Sequence, residues 1–143
     1  LADSMYGIEV MKVQEITRPM QMTRVPLAPE FVKGLINLRG QIATAICLRT
    51  LFRIPGSSPE NQMNLICKIN GLLLSFLVDR IGDVMEVPGE LFESINEDAG
   101  GGIKSYMSGV YKIPDTLLSV IEVEKIAKYL QDCGTPSMEQ RGN

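Results

Sequence analysis

The sequence predicts a mostly β fold, built as one or two small barrels that share a core. The chain holds many short apolar runs bounded by turn residues and few stretches with helical spacing, and strands and helices do not alternate as in α/β proteins. At 143 residues it has the size of one domain and can bury a core without a metal or disulfide.

The first predicted element is a long strand with an irregularity in it. Apolar and polar residues alternate from Tyr6 to Val10, and the phase then slips, so that Met11, Val13 and Glu15 share one face. Such a slip is typical of a bulge or bend. We therefore expect Val13 and Glu15 to point the same way.

A loop and a short helix are predicted next. Arg18–Pro26 has a proline near each end and is a loop or an edge, because proline cannot donate within a central ladder. Pro29 can open a short helix that runs to Leu35, with Gly34 as its stop.

The central strands give the clearest pattern. Ile42–Leu48 is apolar and β-branched apart from one Thr, which is typical of a buried strand, and Leu48–Phe52 adds a helical turn. Two further strand-like runs flank Asn70-Gly71, a pair that favours a two-residue hairpin because both turn residues need positive φ. The second of these strands is predicted to bend near Gly82 and to continue to Val87.

A loop, a hairpin and a helix are predicted for the C-terminal third. Residues 96–102 are acidic and rich in glycine but lack the spacing of a phosphate-binding loop, so they favour a connector. Tyr106–Ile113 and Leu117–Val123 form a hairpin around Pro114. Apolar residues from Val123 to Leu130 follow the spacing of an amphipathic helix, and residues 132–143 are a polar, flexible tail.

Composition argues against several classes of function. The net charge of −3 and the pI near 5.0 argue against a nucleic-acid partner. No apolar run approaches the roughly 20 residues that span a bilayer, so direct membrane insertion is not expected. The absence of His rules out Ser-His-Asp and Cys-His catalysis and removes the commonest metal ligand.

Three cysteines, Cys47, Cys67 and Cys133, lie far apart without a C-x-x-C spacing. We expect core thiols in a reducing cytosol. A redox or nucleophilic thiol is the alternative, although the chain offers no His to activate one.

The segment Phe31–Gly40 places one charged side chain, Arg39, between apolar residues and a glycine. Arginine keeps its charge and offers five donors in a rigid fork, so it suits recognition rather than proton transfer. Two roles are open for Arg39, and we expect some of both: an ion pair at the edge of the core, with a carboxylate such as Asp79 or Asp83, and a contact with a partner.

Several short motifs follow one another along the chain: Tyr6-Gly7-Ile8, Val13-Gln14-Glu15-Ile16, Val25-Pro26, Phe31 to Gly40, Leu48-Arg49, and Val78-Asp79-Arg80-Ile81-Gly82-Asp83-Val84. In order and spacing they resemble the CheW-like adaptors of bacterial chemotaxis, from Leu1 to about Leu130. The resemblance implies two five-stranded SH3-like β-barrels around a shared core, with no catalysis, cofactor or metal.

The resemblance also implies partners. CheW-like proteins couple a CheA-type histidine kinase to methyl-accepting chemoreceptors, by binding the kinase's regulatory domain and the receptor's cytoplasmic helical tip. The chain would be cytoplasmic and recruited to membrane receptor arrays through these partners. Carried over position by position, the kinase-binding residues would be Val13, Glu15 and Gly34, and the receptor-binding residues would be Arg39 and Val84.

Two of these residues also have a purely structural interpretation: Gly34 as a helix C-cap, and Val84 as a core residue of a strand. If the implied roles hold, Arg39→Ala and Glu15→Ala should each weaken binding of a different partner and leave the fold intact.

The resemblance sets the predicted boundaries, with a CheW-like domain at 1–131 and the tail at 132–143. Leu1 aligns with the end of the family's first strand, so we expect one barrel to lack most of that strand here. Because the sequence begins without Met, we expect a processed chain or a fragment. Cys47 stands where many relatives carry an acidic residue, which affects only local detail.

Two alternatives stay open. The chain could be the CheW-like portion of a larger protein, either the regulatory domain of a CheA kinase or an adaptor fused to a receiver. More remotely, it could be an enzyme that uses Glu15, Asp79 and Asp83. On an extended strand the last two would lie about 13 Å apart at roughly 3.3 Å per residue, beyond the usual carboxyl pair unless a bend at Gly82 closes them.

Overall fold

The computed structural model describes residues 5–55, 62–95, 102–114 and 116–132, and over these residues the chain forms two β-sheets with short helices. The strands are β1 Met5–Gly7, β2 Val13–Thr17, β3 Val32–Leu38, β4 Gln41–Cys47, β5 Met63–Ile69, β6 Leu72–Val78, β7 Phe92–Ser94, β8 Met107–Ile113 and β9 Thr116–Ile121. The α-helices are α1 Leu48–Leu51 and α2 Val123–Asp132, and the 3₁₀ turns are Val10–Lys12, Gly89–Leu91 and Gly102–Tyr106. The predicted mostly β fold with a C-terminal helix is confirmed.

The larger sheet has the strand order β2-β5-β6-β4-β3, in which only β4 and β6 are parallel. Its edge strand β3 also bonds to the segment that follows β2. The Thr23 N–H donates to the Leu35 carbonyl at 2.9 Å, and the Leu35 N–H donates back to the Thr23 carbonyl at 2.7 Å. The two edges of the sheet are thereby drawn towards each other, as in a small barrel.

The smaller sheet has the order β1-β9-β8-β7, with β1 parallel to β9 and the other pairs antiparallel. The predicted five strands are therefore found in the larger sheet, whereas the described part of the smaller sheet has four.

Two buried clusters stabilise this arrangement. The larger cluster contains side chains from both sheets and both α-helices, so the predicted shared core is confirmed. The smaller cluster contains only side chains of β3, β4, β5 and β6. Because neighbouring residues of β5 contribute to different clusters, both faces of the central strands are buried, which accounts for the continuous apolar run of β6.

The elements with strong local signals form as predicted. Asn70 and Gly71 both have positive φ, 50° and 85°, in the turn between β5 and β6. β8 and β9 pair as the second hairpin. The apolar face of α2 is buried, and burying such a face is what stabilises a short amphipathic helix.

The predicted helix from Pro29 to Leu35 is wrong, because this segment leads into strand β3. Buried and less buried positions alternate along β3, and β3 pairs with β4 in an antiparallel ladder. The strand periodicity of two residues outweighs the local helix signals, because a strand places Ile36 and Leu38 in the smaller cluster. The chain then reverses at Arg39-Gly40, where both residues have positive φ, 50° and 89°.

The predicted long N-terminal strand is also wrong. A 3₁₀ turn at Val10–Lys12 separates β1 from β2, and the two strands belong to different sheets. A bulge in β2 places Val13 opposite Cys67 and Glu15 opposite Ile66. Since Cys67 and Ile66 are neighbours that belong to different clusters, Val13 and Glu15 lie on opposite faces rather than on one.

The predicted continuation of β6 to Val87 is not found. β6 ends at Val78, and residues 80–88 have no regular secondary structure. The predicted connector at 96–101 and the tail from 133 onwards, including Cys133, lie outside the described residues.

Candidate functional site

Glu15 and Arg39, for which the resemblance implies different partners, contact each other directly. Arg39 Nη1 donates to Glu15 Oε2 at 3.2 Å, and Arg39 Nη2 donates to Glu15 Oε1, so the pair is bidentate. Glu15 lies on edge strand β2, whereas Arg39 lies in the turn after the opposite edge strand, β3. The pair is therefore a second link across the two edges of the larger sheet.

The pair is accessible to a partner. The Arg39 side chain is 69% exposed and that of Glu15 is 26% exposed. The hydrogen bond from Arg39 lowers the pKa of Glu15 below its usual value, although partial desolvation opposes this shift. The predicted ion pair between Arg39 and a carboxylate is present, but its partner is Glu15 rather than the suggested Asp79 or Asp83. Arg39 reaches solvent while it is held by Glu15, so its spare donors can contact another molecule.

The Glu15 titration gives a direct test of this pair. Because the folded pKa of Glu15 is lowered, the stabilisation from the pair is present above the ordinary Glu pKa and is lost as the pH falls through the lowered value. We expect carboxyl NMR titration to find this low pKa in the wild type and a value nearer to normal in Arg39→Gln.

Glu124 supplies the internal control for that titration. Burial tends to raise the pKa of Glu124, but the hydrogen bond and the charge of Lys12, together with a backbone hydrogen bond, outweigh burial and lower this pKa. This shift should be the same in the wild type and in Arg39→Gln. An unchanged Glu15 pKa in Arg39→Gln would show that the pair does not form in solution.

Gly34 lies where two segments of the chain come close together. A Cβ at this position would be 2.7 Å from the Thr23 carbonyl oxygen and 3.1 Å from the Met22 Cβ. The helix-cap interpretation is wrong, because Gly34 is inside β3. Gly34 is needed for the close approach of Met22 and Thr23 to β3, which also forms the Thr23–Leu35 bridge.

The two candidate valines differ in exposure. Val13 is half-buried and packs against the larger cluster. Val84 is 77% exposed in the irregular segment after β6, so its interpretation as a core residue is wrong. Val84 and its exposed neighbour Met85 offer apolar surface in this segment.

A buried ion pair, which the sequence did not single out, holds the start of the segment that carries Val84. Arg49 Nη1 donates to Asp79 Oδ2 at 2.8 Å, and Gln62 Nε2 donates to Asp79 Oδ1 at 3.1 Å. Arg49 Nη2 also donates to the Pro55 carbonyl at 2.8 Å. The Arg49 and Asp79 side chains are only 10% and 15% exposed. This clamp thus ties α1 to the residue after β6.

Three observations on the described residues concern other functional classes. A cleft of about 490 Å³ is lined by aromatic and apolar side chains and by Glu30, Thr50 and Arg53, whereas none of Glu15, Asp79 and Asp83 lines it. Among the described residues, no group of three or more His, Cys, Asp or Glu side chains could hold a metal ion. No helix in the described part of the chain is both long enough and apolar enough to cross a membrane.

The described thiols are core residues, as predicted. Cys47 and Cys67 are buried, and burial raises the pKa of Cys67 to about 12. Nearby Glu124 raises it further, whereas Lys12 opposes the shift. A thiol with so high a pKa is protonated at neutral pH and is a poor nucleophile.

An exposed ion pair and an exposed valine on a rigid two-sheet scaffold are features of a protein-binding module, since arginine and apolar anchors dominate many interfaces. The chain belongs to the CheW-like family, whose domain model matches residues 1–131. It is therefore a chemotaxis adaptor of the CheW type.

Individual relatives agree with this assignment. The chain is 32% identical over 127 residues to the chemotaxis protein CheW of Klebsiella aerogenes, which covers 88% of this chain and 76% of that protein. It resembles the crystal structure of the scaffolding protein TtCheW from Thermoanaerobacter tengcongensis with a TM-score of 0.77 and 27% identity, over 85% of this chain and 83% of that one. It is 28% identical to the chemotaxis protein CheV3 of Helicobacter pylori, but the match spans 41% of that longer protein.

Proposed function

We propose that this adaptor couples a CheA-type histidine kinase to chemoreceptors, without catalysing a reaction itself. It binds the kinase's regulatory domain at the edges of the larger sheet, where Val13 and Glu15 lie on β2 and Gly34 lies on β3. It binds the cytoplasmic helical tip of the receptor through Arg39 and Val84. It works in the cytoplasm and reaches the membrane receptor array through these partners.

The Glu15–Arg39 contact is the observation that carries this proposal. It joins one kinase-binding residue to one receptor-binding residue by two hydrogen bonds. A change in how one partner engages its residue would therefore alter the position or charge of the other. The contact thus gives a physical route by which binding of one partner affects binding of the other. Because Glu15 and Arg39 touch, they are not independent sites.

The wild-type protein tests the proposal first, by calorimetric titration with a CheA-type regulatory domain and with a receptor cytoplasmic fragment. Val84→Asp should then weaken binding of the receptor fragment at least about tenfold, because it places a charge in an apolar contact, while the kinase affinity and the melting temperature stay the same.

Leu117→Asp is the matched control, since Leu117 is 55% exposed on β9 and belongs to neither proposed surface. It should leave both affinities unchanged. The proposal is wrong if the wild type binds neither partner, and the role of Val84 is wrong if both variants bind the receptor fragment equally.

A second candidate keeps the same binding roles within a longer chain, because the match to CheV3 spans less than half of that protein. The reading frames upstream of Leu1 and downstream of Asn143 separate a standalone adaptor from a domain of a kinase or of a receiver-fused adaptor.

A further inference from the structure

The turn at Pro26-Leu27 presents a leucine in a conformation that leucine rarely adopts. Leu27 has φ 64°, and the Ala28 N–H donates to the Val25 carbonyl at 3.4 Å across the turn. Proline at the second position and positive φ at the third define a type II turn, which favours glycine or asparagine where Leu27 stands. The left-handed conformation brings the Cβ of a leucine too close to the backbone.

The Leu27 side chain gains no contact that offsets this strain. It is fully exposed, whereas its neighbours Val25 and Ala28 are half-buried, and Ala28 packs against the larger cluster. Pro26 and Pro29 restrict the backbone on either side of it. The turn therefore holds a large apolar side chain rigidly in solvent, at a cost to the isolated protein.

Gly34 connects this turn to the proposed kinase-binding surface. Its missing Cβ lets Met22 and Thr23 lie against β3, and the chain runs from Thr23 directly into the turn. Any side chain at Gly34 would push this segment outward and displace Leu27 with it. Gly34 can thus affect kinase binding through the turn, without contacting the kinase.

We infer that Leu27 is the apolar anchor of the kinase-binding surface and inserts into a concave apolar pocket on the regulatory domain. A single protruding leucine fits a pocket better than the convex ridges of a receptor's helical tip. The exposed side chains of Arg24 and Glu30 flank the turn and supply the polar rim that such an anchor needs. This inference rests on the proposed function.

Leu27→Asn separates the backbone strain of the turn from the proposed binding contact, because asparagine tolerates positive φ but lacks the apolar side chain. We expect the variant to melt about 3 °C higher than the wild type and to bind the regulatory domain at least about tenfold more weakly. Its affinity for the receptor fragment should not change. Leu27→Met should retain most of the kinase affinity.

Arg53→Gly is the matched control, since Arg53 also has positive φ, 56°, but lies in another turn. It should raise the melting temperature similarly and leave both affinities unchanged. If the wild type binds both partners and Leu27→Asn binds the regulatory domain equally well, this inference fails while the proposed function stands.

Two other results overturn the inference. A lower melting temperature in Leu27→Asn would mean that Leu27 stabilises the isolated protein. The inference would then fail, because it requires that the conformation of Leu27 destabilises the fold. A wild type that binds neither partner would refute the proposed function, and the assignment of Leu27 to the kinase with it.

Discussion

Replacing Asp79 by alanine is expected to lower the free energy of unfolding by about 3–5 kcal/mol, because it leaves the buried Arg49 guanidinium without its counter-ion. The whole Arg49 residue is only 9% exposed, and its Nε already has no hydrogen-bond partner among the described residues. A loss of this size is a large share of the roughly 5–15 kcal/mol that stabilises a typical domain. Urea denaturation followed by circular dichroism measures it.

Two further variants test whether the loss comes from the unpaired buried charge. Glu93→Ala breaks the Lys112–Glu93 pair, whose side chains are both more than half exposed, and should change stability little. Replacing both members of the buried pair, as Arg49→Met with Asp79→Leu, should recover most of the loss, since no buried charge then remains unpaired. A cost below about 1 kcal/mol for Asp79→Ala would mean that water solvates Arg49 in solution.

Reversing one charge of the Glu15–Arg39 pair is expected to weaken binding of both partners, by at least about tenfold each. In Arg39→Glu, two carboxylates face each other across the edges of the larger sheet, so the proposed receptor-binding residue is replaced and the proposed kinase-binding residue is repelled. Calorimetric titration with the regulatory domain and with the receptor fragment measures both effects on one protein.

The charge exchange, Glu15→Arg with Arg39→Glu, distinguishes a structural role from recognition. It restores the ion pair inside the molecule, so the melting temperature should return towards that of the wild type. Binding should stay weak, because each partner now meets the opposite charge. If the exchange restores both affinities, the pair only holds the sheet edges together, and neither residue is recognised by a partner.

These experiments depend on contacts that the sequence could predict only in part. The mostly β fold, the Asn70-Gly71 hairpin and helix α2 follow from local signals, because turn chemistry and hydrophobic periodicity act over a few residues. The first half of strand β3 is predicted as a helix from local signals, because the strand depends on pairing with β4 and on the close approach of Met22 and Thr23 at Gly34. Local propensity cannot predict these contacts, because they join residues of different segments of the chain.

The candidate site divides in the same way. The motif series pointed to Val13, Glu15, Gly34, Arg39 and Val84, and it identified an adaptor of the CheW-like family. It did not pair Arg39 with Glu15, which are 24 residues apart, nor Arg49 with Asp79, which are 30 apart. Each arginine had several carboxylates within reach of an unfolded chain, and spacing alone could not choose among them.

The sequence by itself determined the class of fold, the family and the residue types available for binding, because these depend on composition, periodicity and ordered motifs. The tertiary structure alone decided which residues meet and which reach solvent. Curling of the larger sheet brings β2 and the β3–β4 turn together, so Arg39 pairs with Glu15. The bulge in β2 separates Val13 from Glu15, and the turn at Pro26 leaves Leu27 exposed. Long-range packing fixes these outcomes, and no local pattern encodes them.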